Sequence, residues 1–325
     1  MIEVTLKDIL ESAKRIGPLI RRTPLEEWEE LRTLTGGQIY FKMENLQKTH
    51  SFKIRGALNR VMTLDEEDRR RGIICASAGN HAQGVALACR LFGLSALVCV
   101  PVNTPATKVE ATQRYGAEVR LVGSDYDEAE AAAWEIARDT GRTFVHAFED
   151  SMVVAGQGTV GLEILQELPE VDVVLVPAGG GGLIGGIGAA CKAINPRIQV
   201  LGIQSEASPV WYRSFLEGRV TEVEIQESVA EGLSGAITEV TFDHVKRVVD
   251  GFVLVPEDEI YSAMYYALAA HHLVLEGSAA VGIAAVMGGH LNLNGKRVAT
   301  VLTGGNVDIS RVADVIERGR RHPGE

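Results

Sequence analysis

Lys53 stands in the stretch Ser51-Phe52-Lys53-Ile54-Arg55-Gly56-Ala57, between two apolar side chains at the start of a helical pattern. Ser51 is placed to cap that helix. A lysine stem held among apolar neighbours near a helix start loses ammonium character, because desolvation and the positive helix end both disfavour the charge. A neutral amine is what Schiff-base chemistry with a carbonyl requires. On local features alone a snorkelling surface lysine is the commoner outcome. The assignment therefore depends on whether the chain also supplies an anion cradle and a carboxylate site.

A cradle is present in Gly179, Gly180, Gly181 and Gly182, which lie with Leu183 between the apolar strand pattern Asp172 to Pro177 and a helical one. Four consecutive glycines cost considerable chain entropy, more than a tight turn alone explains. Glycine lets the backbone approach an anion, and the free N–H groups of a helix start solvate phosphate. Gly180, Gly182 and Gly185 also satisfy a dinucleotide template, with Glu206 about twenty residues further on. A nicotinamide-dependent oxidoreductase is thus a rival reading. It ranks below because it leaves the Lys53 helix and a second turn without a task. That turn, Ser77-Ala78-Gly79-Asn80-His81, heads a helix and offers amides and a hydroxyl suited to an amino-acid carboxylate. Ser77 as a simple helix cap is compatible with the same role.

Elements must hold these residues in place. Leu6, Ile9, Leu10, Ala13 and Ile16 share one helical face. Pro18 helps end that helix. An extended lead-in at Arg21 to Leu25, a short helix near Leu31 and a strand at Gln38 to Met43 precede the Lys53 helix, which ends near Thr63. From Gly72 the text alternates between strands (Gly72 to Ala76, Ala96 to Val100, Glu118 to Val122, Thr143 to His146) and helices (Ala82 to Phe92, Pro105 to Tyr115, Asp125 to Arg138). Alternation of this kind predicts right-handed crossovers and a parallel sheet. A second block has helices at Val153 to Leu168, Leu183 to Ala193, Glu257 to Leu275 and Ser278 to Gly288. Its strands fall at Asp172 to Pro177, Gln199 to Gln204, Gly251 to Val255 and Arg297 to Leu302.

The 325 residues are 46% hydrophobic and 23% charged, an ordinary globular profile long enough for two domains. A net charge of -11 argues against nucleic acid or an anionic membrane as partner and towards a small molecule. No apolar run spans a bilayer and no signal-peptide core opens the chain, so the expectation is a cytoplasmic protein. Cys75, Cys89, Cys99 and Cys191 show no paired spacing, which predicts buried free thiols and neither disulfides nor a metal site.

Four segments together resemble the fold-type II pyridoxal-phosphate enzymes, in their threonine/serine dehydratase and serine racemase branch. They are the Lys53 helix start, the Ser77 to His81 turn, the Gly179 to Gly182 loop and Thr303-Gly304-Gly305-Asn306, in the family's order. The resemblance runs from about Leu6 to Val312 and implies an α/β, tryptophan synthase β-like fold of two lobes. Each lobe is an open, mostly parallel sheet flanked by helices. Residues 72–147 form the small lobe, inserted into a large lobe of residues 1–71 and 148–325, with the cofactor in the cleft between them. It further implies pyridoxal 5'-phosphate as cofactor, Lys53 as its Schiff-base partner and Phe52 packed near the ring. Asn80 matches the partner of the phenolic oxygen, Gly179 to Leu183 the phosphate cup, and Glu276 an acid near the cofactor edge. Thr303 matches the hydroxyl facing the pyridine nitrogen; a neutral partner there moderates the electron sink and suits β-elimination. Ser77, Ala78, Gly79, Asn80 and His81 bind the substrate in this picture, His81 without serving as a base.

The family's racemases place a serine where this chain has Ala78, and alanine carries no proton. Their metal carboxylates are also missing, with Gln204 and Val210 at the corresponding positions. The resemblance therefore implies an ammonia-lyase that converts a β-hydroxy amino acid such as L-threonine or L-serine to a 2-oxo acid. His50, where many relatives carry glycine, and the departures in Glu231 to Thr238 leave phenylserine or 3-hydroxyaspartate open as substrates. Phe148 is read as an apolar ring near the β-substituent, or as simple core. A catalytically silent ligand-binding relative ranks last. Relatives imply a homodimer, and the chain's length predicts no regulatory domain and no isoleucine feedback.

Overall fold

The computed structural model describes residues 2–235 and 237–319. Ala236, in the loop whose departures bear on specificity, lies outside them, as do residues 1 and 320–325. The strands are β1 (Leu25–Glu27), β2 (Gln38–Lys42), β3 (Ile73–Ala76), β4 (Ala96–Val100), β5 (Glu118–Leu121), β6 (Thr143–Phe144), β7 (Val173–Pro177), β8 (Gln199–Ser205), β9 (Gly251–Val255) and β10 (Arg297–Val301).

They form two sheets. One runs in the order β5-β4-β3-β6 and is parallel throughout. The other runs β1-β2-β10-β7-β8-β9, with only β1 antiparallel. Every residue of β3, β4 and β7 is buried, which is why these strands read as unbroken apolar runs. In the larger sheet β10, from late in the chain, lies between β2 and β7: Val298 pairs with Ile39 on one side and Val173 on the other. Among the described residues no helix is long and apolar enough to cross a membrane. All four cysteines are buried and free.

The Leu6–Ile16 helix has the predicted bounds, and Thr5 and Asp8 close a reciprocal capping box at its start. Two expectations need correction. The helix predicted over Glu257 to Leu275 stops at His271, because His272 turns left-handed at φ +57° and the amide of Leu273 folds back to Ala267. Ser51 does not cap the Lys53 helix. Phe52 occupies the cap position with helical torsions, while Ser51 forms an antiparallel bridge with Gly304.

The Lys53–Met62 helix packs between the Asn80–Leu91 and Ser151–Glu167 helices. Glycines permit the approach. A Cβ on Gly84 would lie 3.1 Å from the Ile54 nitrogen, and one on Gly156 would lie 2.7 Å from the Arg55 carbonyl oxygen. Charge fixes the register of the packing. Arg55, fully buried, pairs with Glu44 and Glu163 at 2.7 Å each, and buried Lys42 adds a 2.8 Å contact to Glu163. Burying this many charges is tolerable only because each carboxylate meets a cation at hydrogen-bonding distance.

Candidate active site

Lys53 is the first residue of its helix, and only part of its surface stays open. Burial pulls its ammonium down to about 8, against the Glu276 carboxylate, which favours the charge. Glu276 is itself enclosed. Burial pushes its carboxyl up to about 7, partly offset by a hydrogen bond from Asn80 and by the charge of Lys53. The Asn80 amide nitrogen donates to both oxygens of Glu276, at 2.8 and 3.0 Å.

The bridge between Ser51 and Gly304 ties the lysine to the loop that follows β10. The Phe52 amide donates to the Thr303 carbonyl at 3.1 Å, so Lys53 and Thr303 are held one short backbone step apart. The hydroxyls of Ser51 and Thr303 are buried with no hydrogen-bond partner in the protein. A buried hydroxyl left unpaired costs about 1–3 kcal/mol, so both are available to a bound molecule that offers them a partner.

The tetraglycine loop leads from β7 into the Gly182–Ile194 helix. Gly181 caps that helix in the left-handed region, at φ +98°. A Cβ on Gly181 would come within 2.6 Å of Trp211, whose indole donates to the Gly179 carbonyl. A Cβ on Gly182 would meet the Phe148 backbone at 3.2 Å. Among the described hydrogen bonds none uses the amides of Gly180, Gly181, Gly182 or Leu183 as donors, so they are free to meet an anion.

The Ser77 turn has the same character. Ser77 accepts from the Gly79 amide at 3.2 Å, and the helix begins at Asn80, two residues earlier than the sequence pattern suggested. The His81 ring is buried, with Nε2 2.8 Å from the Val145 carbonyl oxygen, which can only accept. Burial holds its pKa down at about 3, so the ring is a neutral strut and not a base. Phe148, half-buried, rests on the glycine loop. His50 sits at φ +54°, a conformation in which glycine is at ease, and its side chain is exposed.

Two residues with no role assigned from sequence join the site. Asn306 donates to the Asn80 side-chain oxygen at 2.7 Å and to the Thr49 carbonyl at 2.8 Å, fixing which way the Asn80 amide points. Its signal lay in the Thr303 to Asn306 motif. Trp211 buttresses the glycine loop from a distant helix, and no local pattern marks it.

An aldehyde that also carries a phosphate answers the lowered lysine, the free amides and the unpaired hydroxyls together. The class these demands define is the fold-type II enzyme that works through pyridoxal phosphate. The family model described as "Pyridoxal-phosphate dependent enzyme" matches residues 16–304. An L-threonine ammonia-lyase of Thermotoga maritima is 47% identical over 317 residues, covering 97% of this chain and 79% of the relative. A catabolic L-threonine dehydratase of Staphylococcus aureus is 44% identical over 321 residues, covering 97% and 93%. Among solved structures, maize serine racemase superposes with a TM-score of 0.92 at 31% identity, over 99% of both chains. The chain belongs to the pyridoxal-phosphate-dependent enzyme family, in its threonine/serine dehydratase branch. Its cofactor is pyridoxal 5'-phosphate, which removes the nicotinamide reading.

Proposed function

We propose that the protein is an ammonia-lyase that takes L-threonine, and L-serine as a smaller substrate, to a 2-oxo acid and ammonia. The observation that carries this is the proton inventory of the site. Among the described residues of the site, Lys53 is an amine tuned to exchange a proton near neutrality, the raised Glu276 carboxyl is engaged by the Asn80 amide, Ala78 has no proton to give, and His81 is neutral and tied to Val145. Racemisation needs an acid and a base on opposite faces, whereas elimination proceeds with one base and a leaving hydroxyl.

The cofactor, when bound, supplies an electron sink for the bond to the α-carbon. Lys53 would hold the aldehyde carbon until the substrate amine takes its place there, and the freed amine would then take the α-proton, its lowered pKa leaving a large share of neutral amine at physiological pH. Gly179, Gly180, Gly181, Gly182 and Leu183 would hold the phosphate. Thr303 would face the ring nitrogen, satisfying its unpaired hydroxyl. Phe52 would pack near the ring, Asn80 would reach the phenolic oxygen, and Glu276 would hold the Asn80 amide in place. Ser77, Ala78, Gly79, Asn80 and His81 would bind the carboxylate, and Phe148 would border the β-substituent. The net change is loss of the α-hydrogen and β-hydroxyl as water, then return of water as ammonia leaves.

We assign residues 72–147, which carry β3 to β6, to a small lobe that closes on the remainder. A homodimer in the cytoplasm completes the reading. The test is a panel of L-threonine, L-serine, phenylserine and 3-hydroxyaspartate scored for 2-oxo acid and ammonia. Turnover of L-threonine supports the assignment. Silence on all four rejects the enzyme reading, and preference for either bulkier substrate moves the specificity.

A further inference from the structure

The turn that follows β6 is organised by a histidine the site does not otherwise use. His146 has 11% of its side chain exposed. Its Nδ1 accepts the amides of Phe148, at 3.2 Å, and Glu149, at 2.8 Å. Backbone amides only donate, so Nδ1 presents a lone pair and the proton of the neutral ring sits on Nε2. There it faces Glu130 at 3.3 Å and, more distantly, Glu149 at 3.8 Å. Glu130 also accepts from the Tyr126 hydroxyl at 3.1 Å, and its carboxyl lies below its usual value chiefly because of the His146 hydrogen bond. Phe148 stands edge-on to the His146 ring, with centroids 4.5 Å apart and planes at 88°. From there it rests against Gly180 and Gly182 of the glycine loop.

We propose that His146 is a positioning residue for substrate side-chain preference: by accepting the Phe148 and Glu149 amides it fixes the turn that sets the Phe148 ring against the glycine loop. Glu130 locks the imidazole into the one tautomer able to do this. The inference rests on the proposed placement of Phe148 beside the β-substituent. L-threonine and L-serine differ by one methyl group, so a displaced ring changes their ratio more than it changes chemistry common to both.

Two substitutions separate the roles of the ring nitrogens. The side-chain oxygen of asparagine reaches the Nδ1 position and keeps the acceptor but loses Glu130. The amide nitrogen of glutamine reaches towards Nε2 and keeps Glu130 but offers no acceptor to the turn. With the holoenzyme, His146→Gln is expected to lower the L-threonine to L-serine ratio of kcat/KM by roughly tenfold. The change falls on KM for L-threonine, while kcat for L-serine holds. His146→Asn keeps the ratio. Hydrogen exchange at the Phe148 and Glu149 amides, read without turnover, accelerates in His146→Gln and stays protected in His146→Asn. Nitrogen chemical shifts of the wild-type ring report a bare Nδ1. Equal effects of the two substitutions, unchanged exchange in His146→Gln, or a protonated Nδ1 would overturn the proposal. If the wild type releases ammonia from neither amino acid, the proposed activity fails and the specificity role with it, while exchange and tautomer still judge the turn.

Discussion

The reactivity of Lys53 can be tested as a number. Burial takes its ammonium from 10.5 to about 8. At pH 7.5 an amine of pKa 8 is about a quarter neutral and one of pKa 10.5 about a thousandth, so roughly 200-fold more reactive amine is present. Protein stripped of cofactor and remixed with it should develop Schiff-base absorbance at a rate that rises with pH and levels off above about 8. Using pyridoxal beside its phosphate ester separates the lysine's titration from the phosphate's. Glu276→Gln removes a carboxylate that favours the ammonium, so the midpoint should fall further. The shift also has a sign in stability. Between about 8 and 10.5 the unfolded chain binds the proton that folded Lys53 has lost, so the stripped protein gains stability as pH rises through that window. The gain is on the order of 3 kcal/mol. A midpoint near 10 in the wild type, or an upward move in Glu276→Gln, would refute the argument that burial tunes this amine.

Three further outcomes follow from burial and exposure. Gly181→Ala forces a side chain onto backbone at φ +98° and within 2.6 Å of Trp211. It should cost about 2 kcal/mol or more in a thermal melt and weaken cofactor binding in a titration. Arg55→Ala strands the buried Glu44 carboxylate and should lose about 3–5 kcal/mol in urea unfolding. Arg70→Ala, in an exposed pair with Glu66, should change stability by under about 0.5 kcal/mol.

Periodicity and apolar runs mark every strand except β1, whose Leu25–Glu27 stretch follows what reads only as an extended lead-in. Ile73–Ala76 and Val173–Pro177 are buried on both faces and carry no alternation to confuse them. The Glu239–Val248 and Ile309–Gly319 helices go beyond what the sequence pattern predicts, although the first starts with a capping box at Thr238 and Thr241. The end of the Glu257–His271 helix was missed because nothing around His272 announces a left-handed residue; asparagine or glycine would have. Ser51 looked like a cap because the local text suits one, and a bridge to Gly304 is invisible at that range. The same holds for the Arg55 cluster, whose partner Glu163 lies 108 residues away. Motif residues are legible in the sequence, whereas the partners that orient them lie too far along the chain to leave a local pattern.

The strand-like pairing of Ser51 with Gly304 bears on how the enzyme is born. A ribosome adding roughly 5–20 residues per second takes on the order of tens of seconds to travel from Lys53 to Thr303. Throughout that interval the nascent chain owns a nucleophile but not the wall against which an aldehyde would be seated. The seat beside Lys53 is therefore complete only once Ser51 and Gly304 can pair.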